Sequence, residues 1–256
     1  MKKKEKSGII TLTFIAGILF GFLINQWFHT INGKELLISL FVHHNEPTHL
    51  SVPETMRVDT TSKLYIYTPT YSKIDLVCGD NSLDNDANII LAAEAAFTGE
   101  ILPHFSHDNI AGNHVSGGVF YKGYECKVNT GTFSWYNDKW YFSYGDSFAE
   151  AAKSADNHGM AFSQVMFIHN GQRKHCVIQG YNIYRALCEL NGKLCIIESR
   201  KPISFFTFVL LLLDKGVKEA IYLDLGNGWY VNNAGVKNQL HGVNRKYSTN
   251  HIVFYR

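Results

Sequence analysis

The sequence predicts an α+β domain, a large mixed β-sheet with a few packed helices, preceded by an N-terminal transmembrane helix. Three observations lead there. From about residue 63 onward, short apolar or alternating runs recur between turn residues, the pattern of β-strands. Only two stretches, around AEAAKSA and SFFTFVLLLLDKG, carry helix signals. Ahead of them all, Gly8 to Ile24 is free of charge and follows a lysine cluster.

That charge-free run is about the minimum length for a membrane-spanning helix, and Trp27 suits the membrane interface. A cleavable signal peptide ends in a small-x-small site. Here Asn25-Gln26-Trp27-Phe28-His29 follows, which favours an uncleaved anchor over a cleaved signal. No cysteine follows the run directly, which argues against a lipoprotein. Lysines before a span stay cytoplasmic. Residues 1–28 therefore read as a Lys-rich tail and single-pass signal anchor, and the main domain as extracytoplasmic, periplasmic or at the cell surface. Residues 29–62 read as an approach segment, with Pro47, Pro53 and VDTTS near its end. The main domain spans 63–256.

Within it the strand candidates are 64–67, 74–77, 88–97, 130–136, 139–144, 160–168, 182–190, 193–199, 220–225 and 251–256. Gln164, inside AFSQVMF, reads as an outward polar residue of an edge strand. Asn137-Asp138 and Asn191-Gly192 are hairpin turns. Ser147 and Glu150 form a capping box for the first helix. Ser204 caps the second, and Gly216 stops it. The second helix is apolar nearly all round, so it should be buried against a sheet. Lying between two strands, it makes a crossover unit with 220–225.

The Asn191-Gly192 turn sets a register. Cys188 faces Cys195, and Arg185 faces Glu198 on the opposite side of the sheet. The cysteines are then close enough for a disulfide, or equally for two packed thiols. Arg185 and Glu198 read either as an ordinary cross-strand ion pair or as part of a site.

Composition narrows the function. Apolar residues make up 46% of the 256, so the chain is globular. The net charge of +2 misleads. Four lysines and one glutamate lie in the first six residues, and the remaining 20 bases and 21 acids net −1. No basic field exists to collect nucleic acid. The five cysteines show neither CxxC nor zinc-type spacing, so no metal site and no cofactor are expected.

Asp224 raises its own question. It ends the apolar run Ala220-Ile221-Tyr222-Leu223 ahead of Gly226 and Gly228, and a carboxylate there is costly to desolvate unless it is paired or used. Three stretches bear on it: AAEAAFTGE…NIAGNHVSGGVFYKGY (92–124), RALCELNGKLCIIES (185–199) and ISFFTFVLLLLDKGVKEAIYLDLG (203–226). In order and spacing they resemble the phosphodiester glycosidase family, its uncovering-enzyme-like members, and most of all a Bacteroides-type bacterial branch, over roughly residues 63–256. The family's Asn-containing segment aligns with Glu94-Ala95-Ala96-Phe97, so Glu94 departs from the Asn. Arg185 matches the arginine that opens the family's later hairpin. Leu223 and Asp224 match its Leu-Asp-Gly, with Leu225 in place of the Gly. Asn227-Gly228-Trp229 stands where the family has a Ser-containing turn.

The resemblance implies a hydrolase that cleaves a glycosyl phosphodiester or related envelope glycan, with Asp224, Glu94 and Arg185 at its centre. The chemistry is compatible. Cleavage through an oxocarbenium-like state needs a carboxylate at the anomeric carbon and a group that handles protons. A phosphate leaving group benefits from the planar fork of an arginine. In GNHVSGG, His114, Ser116, Gly117 and Gly118 offer an anion cradle, and Asn227 and Trp229 offer contacts to a sugar. Each also has a plain reading: Glu94 in an ion pair, His114 as a loop histidine, the glycines as turn formers, Trp229 as packing. A non-catalytic, glycan-binding member of the same fold is the alternative. Carbohydrate or glycosyl phosphate, and the membrane, are the expected partners.

Overall fold

The computed structural model describes residues 55–79, 83, 86–98, 105–145, 147–232, 234–240 and 249–256. The expected tail, anchor and most of the approach segment lie outside these residues. Among the described residues no helix is long and apolar enough to cross a membrane.

Among the described residues the domain is mostly β, with two α-helices. The first sheet has seven strands in the order β1-β2-β14-β13-β16-β10-β11. These are β1 (Met56–Thr60), β2 (Leu64–Pro69), β14 (Lys193–Ser199), β13 (Arg185–Leu190), β16 (Glu219–Leu223), β10 (Met166–His169) and β11 (Gln172–Arg173). The second sheet runs β18 (Lys237–Gln239), β17 (Gly228–Val231), β4 (Ile89–Glu94), β19 (Asn250–Tyr255) and β3 (Lys73–Cys78). The third runs β6 (Val119–Tyr121), β5 (His114–Ser116), β9 (Met160–Gln164), β7 (Gly131–Tyr136) and β8 (Lys139–Tyr144). A small pair joins β12 (Tyr181–Asn182) to β15 (Ile203–Ser204).

The Asn191-Gly192 hairpin has the expected register. Both turn residues take positive φ, 54° and 72°, as a type I′ turn requires. Arg185 faces Glu198, and Cys188 faces Cys195. The cysteines are packed thiols, each directed at a main-chain carbonyl 3.8 Å away. Asn137 and Asp138, also at positive φ, turn β7 into β8.

Other expectations are corrected. The expected mixed sheet is antiparallel at every strand pair of the described residues. The crossover from β14 to β16 does exist. It carries the chain over β13, so β16 docks on a strand of opposite direction. The run 160–168 is two strands in two sheets, broken at Val165. Gln164 is buried in a central strand, not outward at an edge. β1 begins at Met56, inside the segment read as an approach, and pairs along its length with β2.

Helix α1 (Ser147–Asp156) packs against the third sheet through Ala151. Its expected capping box has a Ser147 side chain outside the described residues. Glu150 instead accepts from Ser134 Oγ at 2.5 Å. Helix α2 (Phe205–Asp214) has the expected cap, Ser204 Oγ accepting from Thr207 N at 3.0 Å, and Gly216 at φ 85° ends it. It is buried on one face only. Phe205, Phe208, Val209 and Leu212 pack on the first sheet, while Phe206 and Leu210 are exposed. The other face of that sheet meets the second and third sheets in the main core, through Tyr67, Leu187, Ile196, Leu91, Ile252, Phe133 and Phe162.

Candidate active site

The last residue of β4 and the link from β16 to β17 are sewn together. Asp224 N donates to Ala95 O at 3.1 Å, and Glu94 N donates to Asn227 O at 3.0 Å. Gln164 Nε2 adds a third bond to Ala95 O at 3.3 Å. Asn250 grips the next residue from both sides, accepting from Ala96 N at 2.7 Å and donating to Ala96 O at 3.0 Å. The link is where the chain leaves the first sheet and enters the second, so its backbone cannot rely on one ladder. Side chains and cross-sheet bonds satisfy it instead.

Three charged residues meet at this link. Arg185, fully buried, donates through Nε to Glu198 and through Nη1 to the main-chain oxygens of Asp224 and Gly226, each at 3.3 Å. Its plane of donors thus ties β13 to the link. Glu94 is 1% exposed and lies against Gly226: a Cβ built there would come within 1.0 Å of Glu94 Oε2. Gly226 is glycine because this carboxylate occupies the space of a side chain. Asp224 is 4% exposed, and its Oδ1 accepts from Leu225 N at 2.8 Å, which orients the carboxylate. Burial raises the pKa of the Tyr124 hydroxyl, and the charges of Cys126 and Asp224 add to the rise. Around the Arg185–Glu198 pair stand Tyr65, Tyr67 and Tyr230. Tyr67 is held protonated far above its ordinary value, chiefly by burial and then by Glu198 and Tyr230.

The structure therefore brings Asp224, Glu94 and Arg185 to one link, but Arg185 is directed at Glu198 and two carbonyls in the core. In this structure the guanidinium has no exposed surface, and its bonds run to Glu198 and to the main-chain oxygens of Asp224 and Gly226. Asn227 contributes its carbonyl to Glu94. Trp229 is 6% exposed, with Lys237 Nζ 3.8 Å from its ring centroid and His251 5.6 Å away, so it packs rather than offering a sugar platform. Gly117 and Gly118, at φ 58° and 75°, form the tip of the β5–β6 hairpin, the turn reading of those glycines. Ser116 Oγ thus bonds to β3, donating to Leu76 O at 2.7 Å, and His114 bonds to Gly112 O and His107. Gln164 is what sequence reading missed here: no spacing pattern ties it to Ala95 O, because that contact arises only where two sheets meet.

No family model matches the chain, and no curated protein matches it. Among solved structures its fold is similar to the zebrafish N-acetylglucosamine-1-phosphodiester alpha-N-acetylglucosaminidase catalytic domain auto-inhibited by pro-peptide. Identity is 14% and the TM-score 0.53, over 82% of this chain and 85% of that one.

Proposed function

We propose that the domain is a glycoside hydrolase acting on a glycosyl phosphodiester or a related envelope glycan, held at a membrane by its N-terminal segment. One observation carries the reading: two buried carboxylates, Asp224 and Glu94, converge on a link that three hydrogen-bonded layers hold rigid, in a fold similar to a glycosidase catalytic domain. Rigid placement of a carboxylate is what an oxocarbenium-like transition state demands. Asp224 supplies the charge at the anomeric carbon. Glu94 handles the proton of the attacking water, while the phosphate departs with the bonding electrons of the C–O bond. Arg185 acts indirectly, by fixing the carbonyls on either side of Leu225.

The test uses the full chain, expressed and separated into salt-washed membranes and a soluble fraction, with glycosyl phosphodiesters and release of free sugar as the readout. Turnover should sediment with the membranes. Asp224→Asn should keep the fold and lose at least about a hundredfold in kcat, the scale of losing one transition-state charge contact. Arg185→Lys should lower kcat more than it raises KM, since it shifts the link rather than the substrate. A folded Asp224→Asn protein with unchanged turnover would remove Asp224 from the mechanism. Activity confined to the soluble fraction would remove the anchor. The glycan-binding alternative draws support from the burial of Glu94 against Gly226. It predicts saturable sugar binding with no release of sugar by the unmodified chain.

A further inference from the structure

Besides the residues that meet at the Asp224 link, three side chains that the sequence scatters come together. Cys78 is the last residue of β3, His107 opens the 3-10 turn His107–Asn109, and His114 is the first residue of β5. One ligating atom from each lies within 4.8 Å of the other two. His107 Nδ1 and His114 Nε2 are 3.0 Å apart.

We propose that Cys78, His107 and His114 form a zinc-binding site, one thiolate and two imidazoles with a fourth position open to water or an added donor.

Four features support it. Sulfur with imidazole nitrogen is a donor set that zinc favours, and three protein ligands plus one open position is a common arrangement for it. His114 already has its outer partner: Nδ1 faces Gly112 O at 3.1 Å, so it carries the hydrogen and Nε2 presents its lone pair to the cluster. His107 is fixed face to face with Tyr121, ring centroids 3.4 Å apart at 1°, and Phe105 meets its edge at 5.1 Å. The ring therefore needs little ordering on binding. Tetrahedral zinc with bonds near 2.0–2.1 Å separates two nitrogens by about 3.4 Å, so the rings need only a small opening.

The proton balance is simple. Without metal, one hydrogen lies between His107 Nδ1 and His114 Nε2. On binding it leaves, and His107, half-buried, is protonated instead at Nε2 by exchange with water. The Cys78 thiol, which burial pushes up to about 12, gives its proton to solvent as sulfur bonds to the metal. One proton is released per zinc.

The experiment takes the purified full chain, stripped with a chelator, and measures bound metal after exposure to Zn²⁺ or Co²⁺. Its readouts are metal content and spectra, so they stand apart from any glycosidase assay. The expected result is close to one zinc per chain. Cobalt should give a thiolate charge-transfer band with tetrahedral d–d absorption. Cys78→Ser and His107→Gln should each weaken binding by at least roughly tenfold, since even outer partners of a site are worth that much. His107 is half-buried, so its variant should keep its circular dichroism. Substoichiometric zinc in the unmodified chain, a cobalt spectrum without the thiolate band, or unchanged affinity in a folded His107→Gln protein would overturn the site. Uptake of copper without zinc or cobalt would overturn the zinc assignment.

Discussion

Two glycines show how differently one residue type constrains the chain. At Gly226 the constraint is space, because Glu94 Oε2 stands 1.0 Å from where a Cβ would be. At Gly192 it is conformation: φ is 72°, and nothing lies within 4 Å of a Cβ. The two should therefore answer alanine differently. Gly226→Ala is overpacking and should cost about 1–3 kcal/mol in urea denaturation, with displacement of the link. The cost should shrink markedly in a Glu94→Ala background, since the clash and its partner are removed together. Equal costs in both backgrounds would show that the carboxylate is not what excludes a side chain. At the same scale, Asp224 was legible as a carboxylate at the end of an apolar strand, and Arg185 as the cross-strand partner of Glu198. The direction of Arg185 was not, because alternation names a face of the sheet without saying whether that face meets solvent or a second sheet.

Among the elements, the β13–β14 hairpin was the most readable, since an Asn-Gly turn sets both register and face. Gly192→Ala should cost about 1 kcal/mol, the penalty of a left-handed backbone on a side chain, and leave the pairing intact. Loss of the Arg185–Glu198 pairing in that variant, seen by chemical shift or structure, would mean the turn sets the register more strictly than the side-chain faces do. The run 160–168 was unreadable for a physical reason. Every residue from Met160 to Phe167 is buried, Ser163 and Gln164 included, so no alternation of buried and exposed positions marks where the chain changes sheets. Only Val165, whose neighbour Gln164 accepts its N–H at 2.9 Å, shows the break. Cys78, His107 and His114 were invisible together for a related reason: metal-type spacing detects ligands on one turn or loop, and these come from a strand end, a 3-10 turn and another strand.

At the scale of the whole molecule, the predominance of strands and the placing of both helices followed from periodicity and caps. The division into three sheets did not, because sheet order depends on long-range pairing that local pattern leaves open. The assembled core also sets a response to alkali. Burial raises Tyr71 and Tyr184 to about 12, and burial with nearby carboxylates does the same for Tyr255. The unfolded chain ionises its tyrosines near 10. Between pH 10 and 12 the unfolded state therefore loses protons that the folded state keeps. The stability these groups contribute is complete below pH 10 and is lost as pH rises toward 12. The urea midpoint, followed by far-UV circular dichroism, should fall steadily over that interval. Tyr71→Phe should make the fall shallower, and an unchanged slope would remove Tyr71 from the account.

The position of β19 in the second sheet has a consequence for how the domain is made. β19 lies between β3 and β4 and pairs with both, residues 250–255 against 73–78 and residues 251–255 against 89–94. A ribosome delivers those two partners more than a hundred and fifty residues before the strand that joins them. Until it arrives, a nascent chain holds a slot one strand wide, with two lines of unanswered amide and carbonyl groups on its sides. Closure of the sheet must then wait for the synthesis of β19. During that wait the slot is open to any extended segment, including the same strand from a neighbouring chain.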